Sequence, residues 1–163
     1  MNITEMPYKE ALEAVLEVQQ SEKLKNRVFG SLKLQVIDCD NEKKSWADFR
    51  YEAQEQYLNP YDGVHGGMSC VIGDSCMGTA ICAACAGLPS TTDMSVSYHS
   101  PMPVSNYRIH VEIKKIGAQL AGATCDIFDE NSGKLCVSLM AKYILVRKDI
   151  LADKTENTIF RLN

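Results

Sequence analysis

The sequence predicts an α+β fold in which a single curved antiparallel sheet wraps one long helix. Three observations carry that expectation. Between Gly66 and Thr92 the sole charged side chain is Asp74, so a helix started there is apolar on nearly all sides and belongs in the interior. Six other segments alternate apolar and polar residues with the period of a strand. Their order is helix, two strands, the buried helix, then four strands, with no internal repeat and no interdomain linker. A chain of 163 residues that is 45% hydrophobic suits one domain with a core of ordinary size.

Residues 7–27 carry Tyr8, Ala11, Leu12, Val15, Leu16 and Val18 at helical spacing, against Lys9, Glu10, Glu13 and Glu17. Thr4 is the expected N-cap, with Pro7 in the first turn. Gly30 breaks this pattern, and Leu32, Leu34 and Val36 start a strand. Asp38 to Lys44 is a polar turn, and Ala47, Phe49, Tyr51 and Ala53 return as the second strand of a hairpin. Asn59, Pro60, Asp62 and Gly63 form a loop of turn residues ahead of the central helix, which Gly87 and Pro89 end. Strands are then expected at Thr92 to Tyr98, Tyr107 to Ile113, Ala121 to Ile127 and Leu135 to Val146, read as a meander. Breaks at Pro101 and Pro103, Gly117 to Gln119 and Glu130 to Gly133 separate them. The expected division is a helical extension over 1–29, the main domain over 30–146 and a loose polar tail over 147–163.

Composition excludes several classes of function. The formal charge is −4 and no basic block stands out, so nucleic acid is not an expected partner. The helix after His65 is too rich in Gly, Ser and Cys for a membrane span, so no membrane association is expected. Glu5 and Glu10 stand where a leader peptide would be basic and then apolar, so no signal peptide is expected. Seven cysteines, most of them in periodic apolar segments, read as buried thiols, and a cytoplasmic location is expected. Cys82 and Cys85 have the spacing of a redox or metal pair, but they lie mid-helix with no second pair, so packing is the preferred reading. His99 and His110 sit in strands without partners at ligand spacing and receive no role. Asp93 lies on the polar phase of its strand, and Asp62 reads as a turn former.

A carboxylate on an otherwise apolar helix costs several kcal/mol in desolvation unless it is paired or protonated, which makes Asp74 a candidate for use. Asn59, Gly63, the run His65-Gly66-Gly67, Asp74 nine residues past the histidine, and Gly78 and Ala80 beyond it form a set of spacings. This set resembles the hotdog-fold acyl-CoA thioesterases, in the PaaI-like branch that includes thioesterase superfamily member 2. The resemblance covers roughly residues 30–146.

The resemblance implies a hotdog fold and hydrolysis of an acyl-CoA, with no metal and no tightly bound cofactor. Asp74 would be the nucleophile or general base. Gly66 would offer its backbone N–H to the thioester carbonyl, and Asn59 would contact that carbonyl or support its hydrogen bonds. His65 would order the loop or assist substrate binding, and Thr91 would help hold the attacking water. The resemblance also implies a homodimer with shared sites, often as a dimer of dimers. Simpler readings stand beside these: His65 as a cap, Asp74 as a structural carboxylate at a seam between chains, and Thr91 as the start of a strand.

The chemistry wants these residue types. Free N–H groups and the positive dipole end of a helix stabilise a developing oxyanion, and glycines let an acyl group approach the backbone. A carboxylate attacks directly or deprotonates water. Gly66 and Asp74 are eight residues apart, about 12 Å along one helix at ~1.5 Å per residue. One carbonyl cannot easily reach both, whereas two antiparallel helices across a dimer offer both at one point, with Gly73 and Gly78 allowing close approach. A binding module that senses acyl-CoA without cleaving it is the alternative. Cys70, Met77 and Ile81 are expected to line an apolar tunnel beside Asp74. Arg108, Lys114, Lys115, Lys134 and Arg147 are candidates for the CoA phosphates, each more simply a solvated charge.

Overall fold

The computed structural model describes residues 3–147. Helix α1 spans Tyr8–Gln19, α2 Val28–Ser31 and α3 Gly66–Cys85. Strands are β1 Gln35–Cys39, β2 Trp46–Glu52, β3 Gly87–Tyr98, β4 Asn106–Ile116, β5 Leu120–Asp129 and β6 Leu135–Arg147. All six form one sheet in the order β1-β2-β4-β5-β6-β3, and every neighbouring pair is antiparallel. The expected α+β arrangement, one curved sheet around one long helix, is the one observed. The expected tail from residue 147 lies, from 148 onward, outside the described residues.

Strands β4, β5 and β6 form a meander, but β3 does not open it. It pairs along β6 at the far edge (Thr91 opposite Tyr143, Val96 opposite Leu139), while β4 pairs with β2. Alternation reports which face a side chain takes and says nothing about which strand lies alongside. Strand β3 also begins earlier than the expected Thr92, at Gly87, and passes through Pro89. Pro89 sits opposite Leu145, whose N–H is spent on the Gln119 carbonyl towards β5. The missing proline donor therefore faces the open edge, where a strand tolerates it.

The N-terminal helix is shorter than its apolar pattern. It ends at Gln19, and the chain then turns at Ser21, whose carbonyl accepts from the N–H groups of Leu24 and Lys25. Pro7 stands at the N-cap without a side-chain cap, and Thr4 lies instead in a single 3₁₀ turn, Ile3–Glu5. Strand β1 begins at Gln35 rather than Leu32 because Lys33 adopts φ 53°, outside the extended region. Leu32 and Leu34 are buried all the same.

The core joins α1, α3 and the inner sheet face. Tyr8 and Leu12 of α1 are fully buried, and the Tyr8 hydroxyl donates to the Ala80 carbonyl at 3.0 Å. The extension over 1–29 thus shares one core with the region after it. From the sheet, Phe49, Ile109, Val111, Cys125, Ile127 and Leu139 point inward. Full burial of each large aliphatic or aromatic side chain contributes about 1.5–3 kcal/mol. A Cβ on Gly73 would stand 2.8 Å from Leu139 Cδ1, so this glycine sets how closely the helix lies on the sheet. Among the described residues α3 is the one helix long and apolar enough to cross a membrane, and its seat inside the sheet accounts for that composition. The wrapping is incomplete, however. Gly67, Cys70, Val71, Asp74 and Gly78 form a partly exposed stripe along α3, beside β3.

Two features of the fold lend themselves to measurement. Gly30 is buried under the turn after α1, where a Cβ would meet the Leu24 carbonyl oxygen at 2.4 Å and the Gln19 carbonyl oxygen at 2.9 Å. Backbone cannot yield as a side chain can, so Gly30→Ala is expected to lose about 2 kcal/mol in urea unfolding. Gly122→Ala, whose Cβ would sit 3.7 Å from the Ala141 carbonyl oxygen in ordinary contact, is the control. Asp129 closes the β5–β6 hairpin, accepting from Ser105 Oγ at 2.5 Å, Ser132 Oγ at 2.6 Å and the Asn131 N–H at 3.1 Å. The Ser105 and Ser132 hydroxyls hold its carboxyl below the usual carboxylate value. A depressed carboxyl stabilises the fold above its unfolded value and ceases to as pH falls through the folded one. The stability advantage of the parent over Asp129→Asn should therefore shrink as urea titrations move into that acid range.

Candidate active site

The loop before α3 folds on Asn59. Its Oδ1 accepts from the N–H groups of Tyr61 at 2.8 Å and Gly63 at 3.2 Å, and its own N–H donates to the Gly63 carbonyl at 2.7 Å. Asp62 takes φ 60° in this turn, a region that Asp tolerates. The loop is tied to its surroundings by Val64 N–H to the Met102 carbonyl and His65 N–H to the Tyr57 carbonyl. The start of α3 is thereby fixed against the β3–β4 connection.

His65 is the N-cap of α3. Its Nδ1 accepts from the Gly67 N–H at 3.0 Å, so one of the orphan donors of the first turn is satisfied by an imidazole. The Gly66 N–H has no acceptor among the described residues. The Gly66 carbonyl accepts from Ser69 Oγ at 2.6 Å and from the Tyr98 hydroxyl at 2.8 Å. The Tyr98 ring lies against Gly66, where a Cβ would come within 3.3 Å of the hydroxyl. This helix end therefore presents one free N–H beside an exposed aromatic ring.

Asp74 lies two turns further along α3, on the partly exposed stripe. Its Oδ1 accepts from Thr91 Oγ1 at 2.7 Å and from the Tyr143 hydroxyl at 3.0 Å. Thr91 and Tyr143 are directly opposite across the β3–β6 ladder, which is why both reach one carboxylate. Burial, and after it the charge of Asp74, pushes the Tyr143 phenol well above its usual value, so it stays protonated and donates. A cleft of ≈ 290 Å³ opens beside this cluster between α3 and β3. Phe29, Gly78, Leu88 and Pro89 line its apolar sides, and Gln19 of α1 and Thr79 of α3 its polar end.

The structure thus gathers the expected site residues into two groups. Asn59, His65 and Gly66 sit at the N-terminus of α3, and Asp74 and Thr91 meet two turns away, roughly 12 Å along the axis. Within one chain the groups do not converge. Tyr143 was not singled out from the sequence. Its inward phase on β6 was readable, but the depth at which it meets α3 depends on the register against Thr91. The expected tunnel is corrected: Met77 and Ile81 point into the core with no exposure, and Ser75, Gly78 and Cys82 face the cleft instead.

Other candidates are satisfied elsewhere. Burial, and then Cys85, pushes the Cys82 thiol up to about 12, the reverse of what a redox or metal pair requires. None of the seven cysteines is bridged. On the outer sheet face His110 pairs with Asp48 at 2.6 Å and stacks on Trp46, and His99 meets Ser138 at 3.1 Å. Arg108 pairs with Asp48 at 3.3 Å and lies over Phe128, and Lys114 pairs with Glu112. Among the described residues no group of three His, Cys, Asp or Glu is arranged to hold a metal ion.

Comparison with known proteins agrees with this fold. Residues 61–136 match the family model of the Thioesterase superfamily. Acyl-coenzyme A thioesterase 13 of Mus musculus is 31% identical over 86 residues, which is 52% of this chain and 61% of that protein. The match therefore spans about three-fifths of the relative's length. Thioesterase superfamily member 2 of zebrafish superposes with a TM-score of 0.72 at 21% identity, covering 85% of this chain and 98% of that one. Its Mus musculus counterpart gives 0.71 at 23%, covering 85% and 97%. A hypothetical thioesterase from Streptococcus pneumoniae, solved with coenzyme A, gives 0.63 at 14%, covering 71% and 88%. At these identities the solved structures speak for the fold. The resemblance first carried by His65-Gly66-Gly67 and Asp74 is thereby supported: the chain has the hotdog fold, and its residues 61–136 are similar to the Thioesterase superfamily.

Proposed function

We propose that this protein hydrolyses an acyl-CoA, or a similar acyl thioester, to a free acid and a thiol. The observation that carries the reading is Asp74: a half-buried carboxylate, the one charge on α3, held by two hydroxyl donors on the wall of a mostly apolar cleft. The relatives that match this chain are named as thioesterases, which supports the same reading.

The mechanism needs an oxyanion donor opposite that carboxylate. The free Gly66 N–H at the positive end of α3 suits the task, since a fixed amide aimed at developing charge stabilises the transition state. The two groups lie too far apart on one helix, so the site is built between two chains, each giving the Gly66 end to the other's Asp74. The uncovered surface fits this. The exposed stripe of α3 carries Gly67, Cys70, Asp74 and Gly78, and beside it Met94 (37% exposed) and Tyr98 (55% exposed) stand on the helix-facing side of β3 without cover. The outer edge of β3, twelve residues long, is unpaired among the described residues. In the assembled site Asp74 attacks the polarised carbonyl carbon, or takes a proton from a water that does so. The carbonyl oxygen collects charge at Gly66 N–H and the thiolate leaves; where Asp74 is the nucleophile this forms an acyl–Asp74 anhydride that water then hydrolyses, and in either route a proton from the water ends on the thiolate. Asn59 and His65 act by holding the loop and the first turn that aim this donor, and Thr91 by orienting the carboxylate or the attacking water.

Thiol release from a panel of acyl-CoAs tests the reading. Asp74→Asn and Asp74→Ala should lose roughly 10²- to 10⁴-fold in kcat, the range for removal of a general base or nucleophile. Tight binding of acyl-CoA by the parent without thiol release would instead make the domain a sensor. Shared sites have their own test. Gly66→Pro removes the N–H at a helix position that accepts proline. Chains carrying Asp74→Asn and chains carrying Gly66→Pro should each be inactive alone, and co-expressed they should recover part of the parental rate. No recovery, or a parent that sediments as an 18.1 kDa monomer, would rule out the two-chain site.

A further inference from the structure

We infer that Tyr143 is a positioning residue that, together with Thr91, selects which oxygen of Asp74 reacts. The inference rests on the hydrolytic reading above and adds to it a residue on β6. Both hydroxyls donate to the same atom, Oδ1, at 2.7 Å from Thr91 and 3.0 Å from Tyr143. A carboxylate oxygen has two lone pairs, so Oδ1 is fully engaged. Oδ2 has no donor among the described residues and remains the oxygen available to a thioester carbon or to water.

The orientation of an aspartate carboxylate is otherwise loosely set, because its terminal torsion is broad and nearly two-fold. Two donors arriving from two strands remove that freedom. Thr91 approaches from the exposed edge strand β3, whereas Tyr143 is 1% exposed on β6, next to the core residues Ala141 and Leu145. Tyr143 is therefore the anchored member of the pair, and Thr91 the member within reach of solvent. Their cross-strand pairing makes the two donors one unit: a shift of β3 against β6 would move Thr91 off the oxygen that Tyr143 holds. Fixing a reacting group to within a fraction of an ångström is the general requirement for a productive geometry.

The test compares Tyr143→Phe, Thr91→Val, Thr91→Ser and the double variant Tyr143→Phe/Thr91→Val in thiol release and thermal unfolding. Tyr143→Phe is expected to lose on the order of 10-fold in kcat with KM within about twofold of the parent, since this hydroxyl is spent on Asp74 Oδ1. Thr91→Ser should keep the parental kcat by restoring the donor. The double variant should lose more than the product of the two single losses, because either donor alone still holds Oδ1 and only the pair's removal frees the carboxylate. A residue needed only for packing would instead lower the unfolding temperature and leave the kcat of the folded fraction unchanged. Parental kcat in Tyr143→Phe, or a double variant that is merely multiplicative, would overturn the inference while the hydrolytic reading stood. A parent that releases no thiol would overturn both.

Discussion

One carboxylate on an otherwise uncharged helix sets the terms for the rest of this molecule. Helix α3 is apolar on every side, so burial of all sides would be the cheapest arrangement, and Asp74 prevents it. The fold meets both demands at once. The four inner strands and α1 cover most of the helix, and the edge strand β3 stands beside Asp74 and supplies one of its two hydroxyl donors. The side of α3 that carries the acid is left open, and the residues along it are small. The same choice leaves Met94 and Tyr98 uncovered on the helix-facing side of β3, an arrangement that a second chain would complete.

The start of α3 solves a different problem by local means. A helix N-terminus must find acceptors for its first N–H groups or leave them free. Here a histidine ring takes the Gly67 N–H, and an asparagine folds the preceding loop on itself. The Gly66 N–H is thereby left unspent. Hydroxyls of Ser69 and Tyr98 engage the Gly66 carbonyl, so the peptide plane that carries the Gly67 N–H is held against His65. Order at this end comes from polar contacts within a few residues, whereas order at Asp74 comes from strands distant in sequence.

That difference governs what could be read from the sequence. The central helix was legible to within a residue or two, because a long uncharged run between a turn-rich loop and Gly87 leaves few alternatives. Strand phases were legible as well, including the outward turn of Asp93 and the inward turn of Val96. The site residues at the helix start were legible because they are close in sequence and their spacing is itself a signal. The end of α1 was not, since Val18 continues the apolar pattern while hydrogen bonding at Ser21 turns the chain. The place of β3 beside β6 was not, because a strand's alternation carries no address. Tyr143 was missed for the same reason: its importance lies in standing opposite Thr91, a relation that exists only once the sheet is assembled.

The irregularity in β3 between Thr91 and Asp93 has a consequence for how such a strand can change. Thr91 and Asp93 are separated by one residue and in a regular strand would face the same way, yet Thr91 lies opposite Tyr143 and Asp93 opposite Lys142. The extra residue, Thr92, inverts the phase, so a hydroxyl is turned toward the acid while a second carboxylate is turned away from it. The strand becomes two segments with independent facing. Substitutions that remodel the rim after Thr92 leave the hydroxyl before it undisturbed, whereas a one-residue slip that drew Thr92 into the ladder would swing the Asp93 carboxylate to the helix-facing side. Tolerance along β3 should therefore be permissive for exchange on either side of this joint and intolerant of a slip in register across it.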